Sequence, residues 1–284
     1  MIVTAAELMA DAQKKKYAIP AINTQGGNYD IIRACVEAAE EVGSPMMLAM
    51  YVANVHYYGM EWFAETAKYL GGKSSKPVVI HLDHGDTFEN CCRAVKYGFT
   101  SVMLDCSTDP LDENIRKTNE VIRMAHATGV SVEAEVGELQ RMDAEGNIAE
   151  NKNLANVEDV KRFVENAQPD MLAVGIGNAH GFYKGKPNIR LDVLRDIREI
   201  TDIPLVLHGC TGMAEETVKE AIQIGICKIN FGTLVRHKYM EFYREGIETL
   251  DHNAHSWKVA QYACNKLKDV VKDIIELSGS AGRY

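Results

Sequence analysis

The sequence has no run of about 18 apolar residues, so no membrane-spanning helix is expected. Its first twenty residues, MIVTAAELMADAQKKKYAIP, lack the basic-then-apolar order of a secretory leader. Net positive charge is missing too. The formal charge is −9, which argues against a general nucleic-acid surface but leaves room for a local cationic pocket. Cysteine is present without a disulfide pattern: Cys35, Cys91, Cys92, Cys106, Cys210, Cys227 and Cys264 are odd in number, scattered, and form no C-x-x-C pair. Mostly buried free thiols in a reducing cytoplasm fit that usage. No linker, low-complexity block or short-period repeat divides the chain. Residues 1–284 therefore read as one domain, close to the roughly 250 residues of a single α/β barrel.

What is present is alternation. Short β-rich apolar runs occur at 17–23, 45–50, 77–83, 100–105, 130–137, 171–177, 204–209 and 227–231. Amphipathic stretches lie between them, such as DIIRACVEAAEEVG, DENIRKTNEVIRMAHATG, VEDVKRFVENA and AEETVKEAIQIG. Several end in glycine, the usual residue after a helix, at Gly43, Gly129 and Gly225. Strand–helix alternation implies parallel strands with right-handed crossovers, and eight units imply a closed (β/α)8 TIM barrel followed by an extra C-terminal helix. A doubly wound open sheet is the competing arrangement.

Polar residues collect where these runs end: Asn23, Asp83 with His84, Asp105, Glu135, His180, His208 and Asn230. In a barrel all these ends share one rim, where catalytic residues from separate strands converge. Three imidazoles, His84, His180 and His208, suit Zn2+ with one position left for substrate; hydrogen-bonded rim histidines are the alternative. Asp83 is a candidate general base or acid, or a partner holding a ligand histidine. Asp105 and Glu135 read as a second cation site or as rim salt-bridge partners. His81 shares Asp83's face by period-two alternation, as core or as support beneath a ligand. The later loops look built for phosphate: Gly181 and Lys184 in NAHGFYKGKP, Gly209, Thr211 and Gly212 in HGCTG, and Gly232 and Thr233 in NFGT. Glycines admit backbone N–H groups to an anion, and two of these loops precede helices. GIGNAHG is not a G-x-G-x-x-G fingerprint and no helix clearly follows it, so a dinucleotide site is rejected. Metal and phosphate at one rim point to Lewis-acid chemistry on a phosphorylated carbonyl compound.

The ordered set IHLDHG, SVEAEVG, AVGIGNAHG.Y, PLVLHG.TG, KINF.T and GSAGR resembles the class II, zinc-dependent ketose-bisphosphate aldolases over nearly the whole chain. The resemblance implies reversible cleavage of a ketose phosphate to dihydroxyacetone phosphate and an aldehyde. It places zinc on His84, His180 and His208, proton exchange with the nascent aldehyde oxygen on Asp83, and enediolate orientation on Asn230. Gly181, Lys184, Gly209, Thr211, Gly232 and Thr233 would line the dihydroxyacetone phosphate site. A monovalent cation, Na+ or K+, is implied at Gly181, Gly209 and Thr211, and an alternative metal position at Asp105 and Glu135. It also implies a homodimer or homotetramer. No lysine ends a predicted strand, which disfavours a Schiff-base mechanism.

The sequence departs from that family in three places. The loop after the fifth strand reads ELQRMDAEGN, leaving Asp143 or Glu145 to move the second proton. Bulky Met50 and Tyr51 stand where relatives carry smaller or hydroxyl residues. Cys264 aligns with an arginine that reaches the distal phosphate, with Arg283 or Arg236 as substitutes; a thiol cannot replace bidentate guanidinium recognition. The expected activity is therefore aldol cleavage of a ketose 1-phosphate or 1,6-bisphosphate whose distal group need not be phosphate. A non-catalytic barrel supporting a partner aldolase, or an isomerase or hydrolase on the same barrel, are the alternatives.

Overall fold

The computed structural model describes residues 1–139, 154–183 and 187–284. Helix α1 (Ala5–Lys15) precedes β1 (Ile19–Asn23), α2 (Tyr29–Val42) and β2 (Met46–Tyr51). A short 3-10 turn leads to α3 (Val55–Tyr58), α4 (Met60–Gly71), β3 (Val78–Gly85), α5 (Phe88–Tyr97) and β4 (Ser101–Leu104). Next come α6 (Leu111–His126), β5 (Ser131–Val136), α7 (Val157–Asn166), β6 (Met171–Val174), α8 (Leu191–Ile200) and β7 (Leu205–Leu207). The chain ends with α9 (Glu215–Ile224), β8 (Ile226–Phe231), α10 (Thr233–Thr249) and α11 (Ser256–Ser278). All eight expected strands are present, in parallel and in sequence order, and β8 closes onto β1 through the register Ile19↔Lys228 to Ile22↔Phe231. The architecture is a TIM barrel and the open-sheet alternative is excluded.

Local chemistry sets the element boundaries. Asn28 accepts from the N–H of Asp30 and Ile31 to start α2, and Gly43 ends it in a left-handed conformation (φ 66°). Thr87 and Asn156 cap α5 and α7 in the same manner. Gly225 follows α9 as expected, whereas α6 stops at His126, with Gly129 two residues beyond its C-cap.

The strands bury both faces. Outward residues such as Leu48, Ile80, Val102 and Val132 meet the helix ring. Inward residues Ile19, Met47, Val79, Met171 and Val206 meet Leu8 and Met9 of α1, which plugs the N-terminal end of the barrel. Each such fully buried apolar side chain stabilises the fold by roughly 1.5–3 kcal/mol. This plug was not anticipated from the sequence, where the N-terminal segment was read only for a leader pattern, which it lacks. At the other terminus α11 lies against α2 and α10 and buries Ala263, Cys264, Leu267 and Val271. At the C-terminal rim a cavity of about 280 Å³ adjoins a wider one of about 700 Å³.

Candidate active site and metal centre

The three rim histidines converge although they come from distant strands. His84 Nε2 lies 3.1 Å from His180 Nε2 and 3.0 Å from His208 Nδ1. Two backbone features bring this about. His84 adopts a left-handed conformation (φ 49°), where the β3–β4 register breaks between Leu82 and Gly85. Such a conformation in a non-glycine residue costs on the order of 1–3 kcal/mol and needs surrounding structure to hold it. Gly209 (φ 68°) lets the backbone after His208 press against the loop carrying His180, since a Cβ there would sit 2.2 Å from the Ala179 carbonyl oxygen.

The donor set suits a cation. Asp105 Oδ2 lies 2.7 Å from His84 Nδ1, and Glu133 Oε1 lies 2.7 Å from His208 Nε2. With a cation in place each carboxylate would take the ring N–H on its side, leaving the facing nitrogens of His84 and His208 both to donate lone pairs. Two lone pairs about 3 Å apart attract a positive charge between them, and zinc binds imidazole nitrogens at about 2.0–2.1 Å. The electrostatics agree. Burial alone would lower His84, yet Asp83, Asp105 and Glu135 outweigh it and raise the imidazole to about 10. The site is thus built to hold positive charge. His208, by contrast, is held well below its ordinary value by burial and by His84. A divalent cation fits these residues.

Three carboxylates surround the histidines. Asp83, 6% exposed, lines the smaller cavity and accepts from Asn230 Nδ2 at 3.2 Å. Asn230 Oδ1 is buried without a hydrogen-bond partner among the described residues, an acceptor left for something entering the cavity. Both Glu135 oxygens are likewise unpartnered there, and burial holds this carboxyl well above its usual range. His84, Asp105 and Glu135 offer donor atoms within 4.8 Å of one another, a second group that could hold a metal. Asp105 also makes its 2.7 Å contact to His84 within this group, so both readings offered for it remain compatible with its position.

Gly181, Gly209, Thr211, Gly232 and Thr233 line the smaller cavity, as the sequence suggested. Thr211 Oγ1 accepts from Leu234 N, fixing the β7 loop to the first turn of α10. Lys184, Asp143 and Glu145 lie outside the described residues. Cys264 is fully buried among core residues of α11 against α2, with Arg33 and Cys35 nearby, and lines neither cavity. Of its substitutes, Arg283 sits over the Tyr17 ring near the start of β1, at the far end of the barrel. Arg236 lines the site cavity. Met50 is buried in the core, whereas Tyr51 is 40% exposed, borders both cavities and stands edge-on to His84.

Other residues that shape the site were missed. Asn178 is buried and bridges Ile176 N and the His208 carbonyl, and the Tyr183 hydroxyl binds the backbone of Ala179 and Gly209. Together they tie the β6 and β7 loops into one piece. Glu133 and Lys228, fully buried inside the barrel, were also missed. Their signal was available: each stands two residues before a rim residue, Glu135 or Asn230, and so on the same strand face.

A parallel eight-stranded barrel with a three-histidine cation site and glycine-rich loops at one rim defines a metal-dependent enzyme of the TIM-barrel type. The chain belongs to the class II fructose-bisphosphate aldolase family, whose model matches residues 3–283. It is a class II aldolase, a carbon–carbon lyase. It is 36% identical to a fructose-bisphosphate aldolase of Thermus caldophilus, with all of both chains covered. It is 39% identical to the 6-phospho-5-dehydro-2-deoxy-D-gluconate aldolase of Bacillus subtilis, over 81% of this chain and 79% of that one. The crystal structure of the YdjI aldolase from Escherichia coli K12 superposes with a TM-score of 0.87 at 29% identity, covering 100% of this chain and 99% of the other. No helix of the described residues is long and apolar enough to cross a membrane.

Proposed function

We propose that the enzyme cleaves a ketose 1-phosphate unit reversibly into dihydroxyacetone phosphate and an aldehyde, and that the distal end of its substrate is not a phosphate. The observation that carries the first half is the convergence of His84, His180 and His208 beside Asp83, in a cavity walled by the glycine loops. A zinc ion held by these histidines supplies Lewis-acid stabilisation of the negative charge that develops on the ketose carbonyl oxygen as the bond breaks. Asp83 takes the proton from the hydroxyl that becomes the aldehyde and returns it in the synthetic direction. Asn230 holds Asp83 through its Nδ2 and leaves Oδ1 free to accept from a substrate hydroxyl. Backbone N–H groups of the glycine loops and the positive end of α10 favour the phosphate.

Charge count supports the second half. Among the described residues that line the smaller cavity, Arg236 is the one Lys or Arg, and it lies one turn into α10, beside the loops assigned to the first phosphate. A second dianion within this cavity would have little compensation; Arg93 is the further cation, in the adjoining wider cavity. The name of the Bacillus subtilis relative describes a substrate with phosphate at one end and a carboxylate at the other, which fits a less charged distal group. The test is release of dihydroxyacetone phosphate by zinc-loaded enzyme, with and without EDTA. Substrates are fructose and tagatose 1,6-bisphosphates, ketose 1-phosphates and carboxylate-ended analogues. EDTA-sensitive release from a monophosphate or an acid-ended substrate is expected. Turnover of either bisphosphate at micromolar KM would refute the distal-group assignment, and no release from any substrate would refute the aldol reading.

A further inference from the structure

Beneath the histidines lies a second polar layer that the proposed chemistry does not use. Glu133 of β5, Lys228 of β8 and His81 of β3 are fully buried in the barrel interior, a region that branched apolar side chains usually fill. They form one continuous chain. Glu133 Oε1 accepts from His208 Nε2 at 2.7 Å, and Glu133 Oε2 accepts from Lys228 Nζ at 2.6 Å. Lys228 Nζ stands 3.5 Å from His81 Nε2, and His81 Nδ1 lies 2.9 Å from Ser101 Oγ. Lys228 is surrounded on all sides and lines neither cavity, so it has no access to substrate.

Stability does not account for this layer. A buried ion pair is often no more stable than an apolar pair of the same volume, because desolvation offsets the attraction. Its placement does account for it, because one end of the chain terminates on a metal-ligand candidate. We propose that Glu133 and Lys228 are positioning residues that set the metal affinity of the site by fixing the tautomer and ring orientation of His208. Glu133 accepts a hydrogen bond from Nε2–H, which keeps the proton on that nitrogen and leaves Nδ1 for the cation. Lys228 occupies the other carboxylate oxygen, so Glu133 cannot rotate away from the imidazole. Lys228 and Asn230 lie two residues apart on β8, so the same strand segment anchors His208 from below and Asp83 from the side. The inference rests on the metal reading of the three histidines.

The experiment measures zinc dissociation constants for the full-length, metal-stripped protein by competition with a chromophoric chelator. The variants are Glu133→Gln, the double Glu133→Gln/Lys228→Met and, as control, His208→Ala. Circular dichroism of each stripped protein monitors folding. Glu133→Gln keeps the shape but weakens the acceptor for His208, and is expected to weaken zinc binding about 10–100-fold. The double variant removes both charges together, so no unpaired ion is left inside, and is expected to fold and show the same loss. If either folded variant binds zinc within about threefold of wild type while His208→Ala loses it, the positioning role is overturned and the metal reading stands. If His208→Ala also retains zinc, the metal reading itself fails. A lowered melting temperature with unchanged zinc affinity would mean that the layer is structural only, which likewise overturns the proposal.

Discussion

Replacing Asp83 with asparagine separates proton transfer from metal binding. Asp83 is nearly buried, is held by Asn230 Nδ2 at 3.2 Å, and keeps its Oδ1 4.0 Å from His208 Nδ1. Asparagine has the same outline, and its amide oxygen can still accept from Asn230, so the three imidazoles should stay in place. What disappears is the basic oxygen that removes the hydroxyl proton. General acid–base catalysis contributes roughly 10²- to 10⁴-fold, which at about 1.4 kcal/mol per decade is about 3–5 kcal/mol of barrier. Asp83→Asn is therefore expected to lower kcat for cleavage by that range with little change in KM. Zinc content by atomic absorption should stay near one per chain. Solvent exchange of the dihydroxyacetone phosphate carbon-bound proton should survive, since that step moves a different proton, for which the sequence points to Asp143 or Glu145. A kcat within tenfold of wild type would refute Asp83 as the proton carrier. Loss of zinc together with activity would make it a support for the metal site instead.

Four further outcomes follow from the same geometry. His208→Ala should lose zinc and activity together, and unchanged stoichiometry would remove it from the ligand set. EDTA should abolish cleavage and added Zn2+ restore it; activity indifferent to chelation would contradict the reading of the three histidines. Arg236→Met should raise KM for a phosphorylated substrate about tenfold and leave kcat nearly unchanged, the size expected of one charge-assisted contact at a solvent-accessible site; an unchanged KM would place the phosphate elsewhere. Gly209→Ala forces a Cβ to 2.2 Å from the Ala179 carbonyl oxygen in a left-handed backbone, which should cost about 3 kcal/mol. Melting should drop by about 6–12 °C with weakened zinc binding, because the loops carrying His180 and His208 must separate. Wild-type melting would show that the close approach is not required.

The barrel was legible because seven of the eight strands announced themselves as an apolar run followed by a polar residue at the rim, β2 being the exception. His84, His180 and His208 could be picked out although 96 and 124 positions separate His84 from its two neighbours, because a closed parallel barrel brings every strand end to one circle. The direction of the Cys264 side chain was not legible in the same way. Position along a helix does not say which face points outward, and α11 turns that face into α2. Arg236, only weakly suggested by sequence, lines the cavity because α10 begins at Thr233, directly after the rim loop residue Gly232.

The polar layer inside the barrel was hidden by composition. In SVEAEV and ICKINF a charge inside an apolar strand looks like a surface residue, since charged side chains are rarely fully buried. Alternation contradicts that impression: Glu133 shares a face with Glu135, Lys228 with Asn230, and His81 with Asp83. If the upper member of each pair is a rim residue, the lower member must point into the barrel, where no water is available to solvate it. Three inward polar side chains of compatible charge, one layer below a metal site, can only be accommodated by pairing with one another and with the ligands above. The distances from Lys228 to Glu133 and from Glu133 to His208 are the form that pairing takes. In a barrel, the residue two positions before a rim ligand is therefore the place to look for the group that orients it.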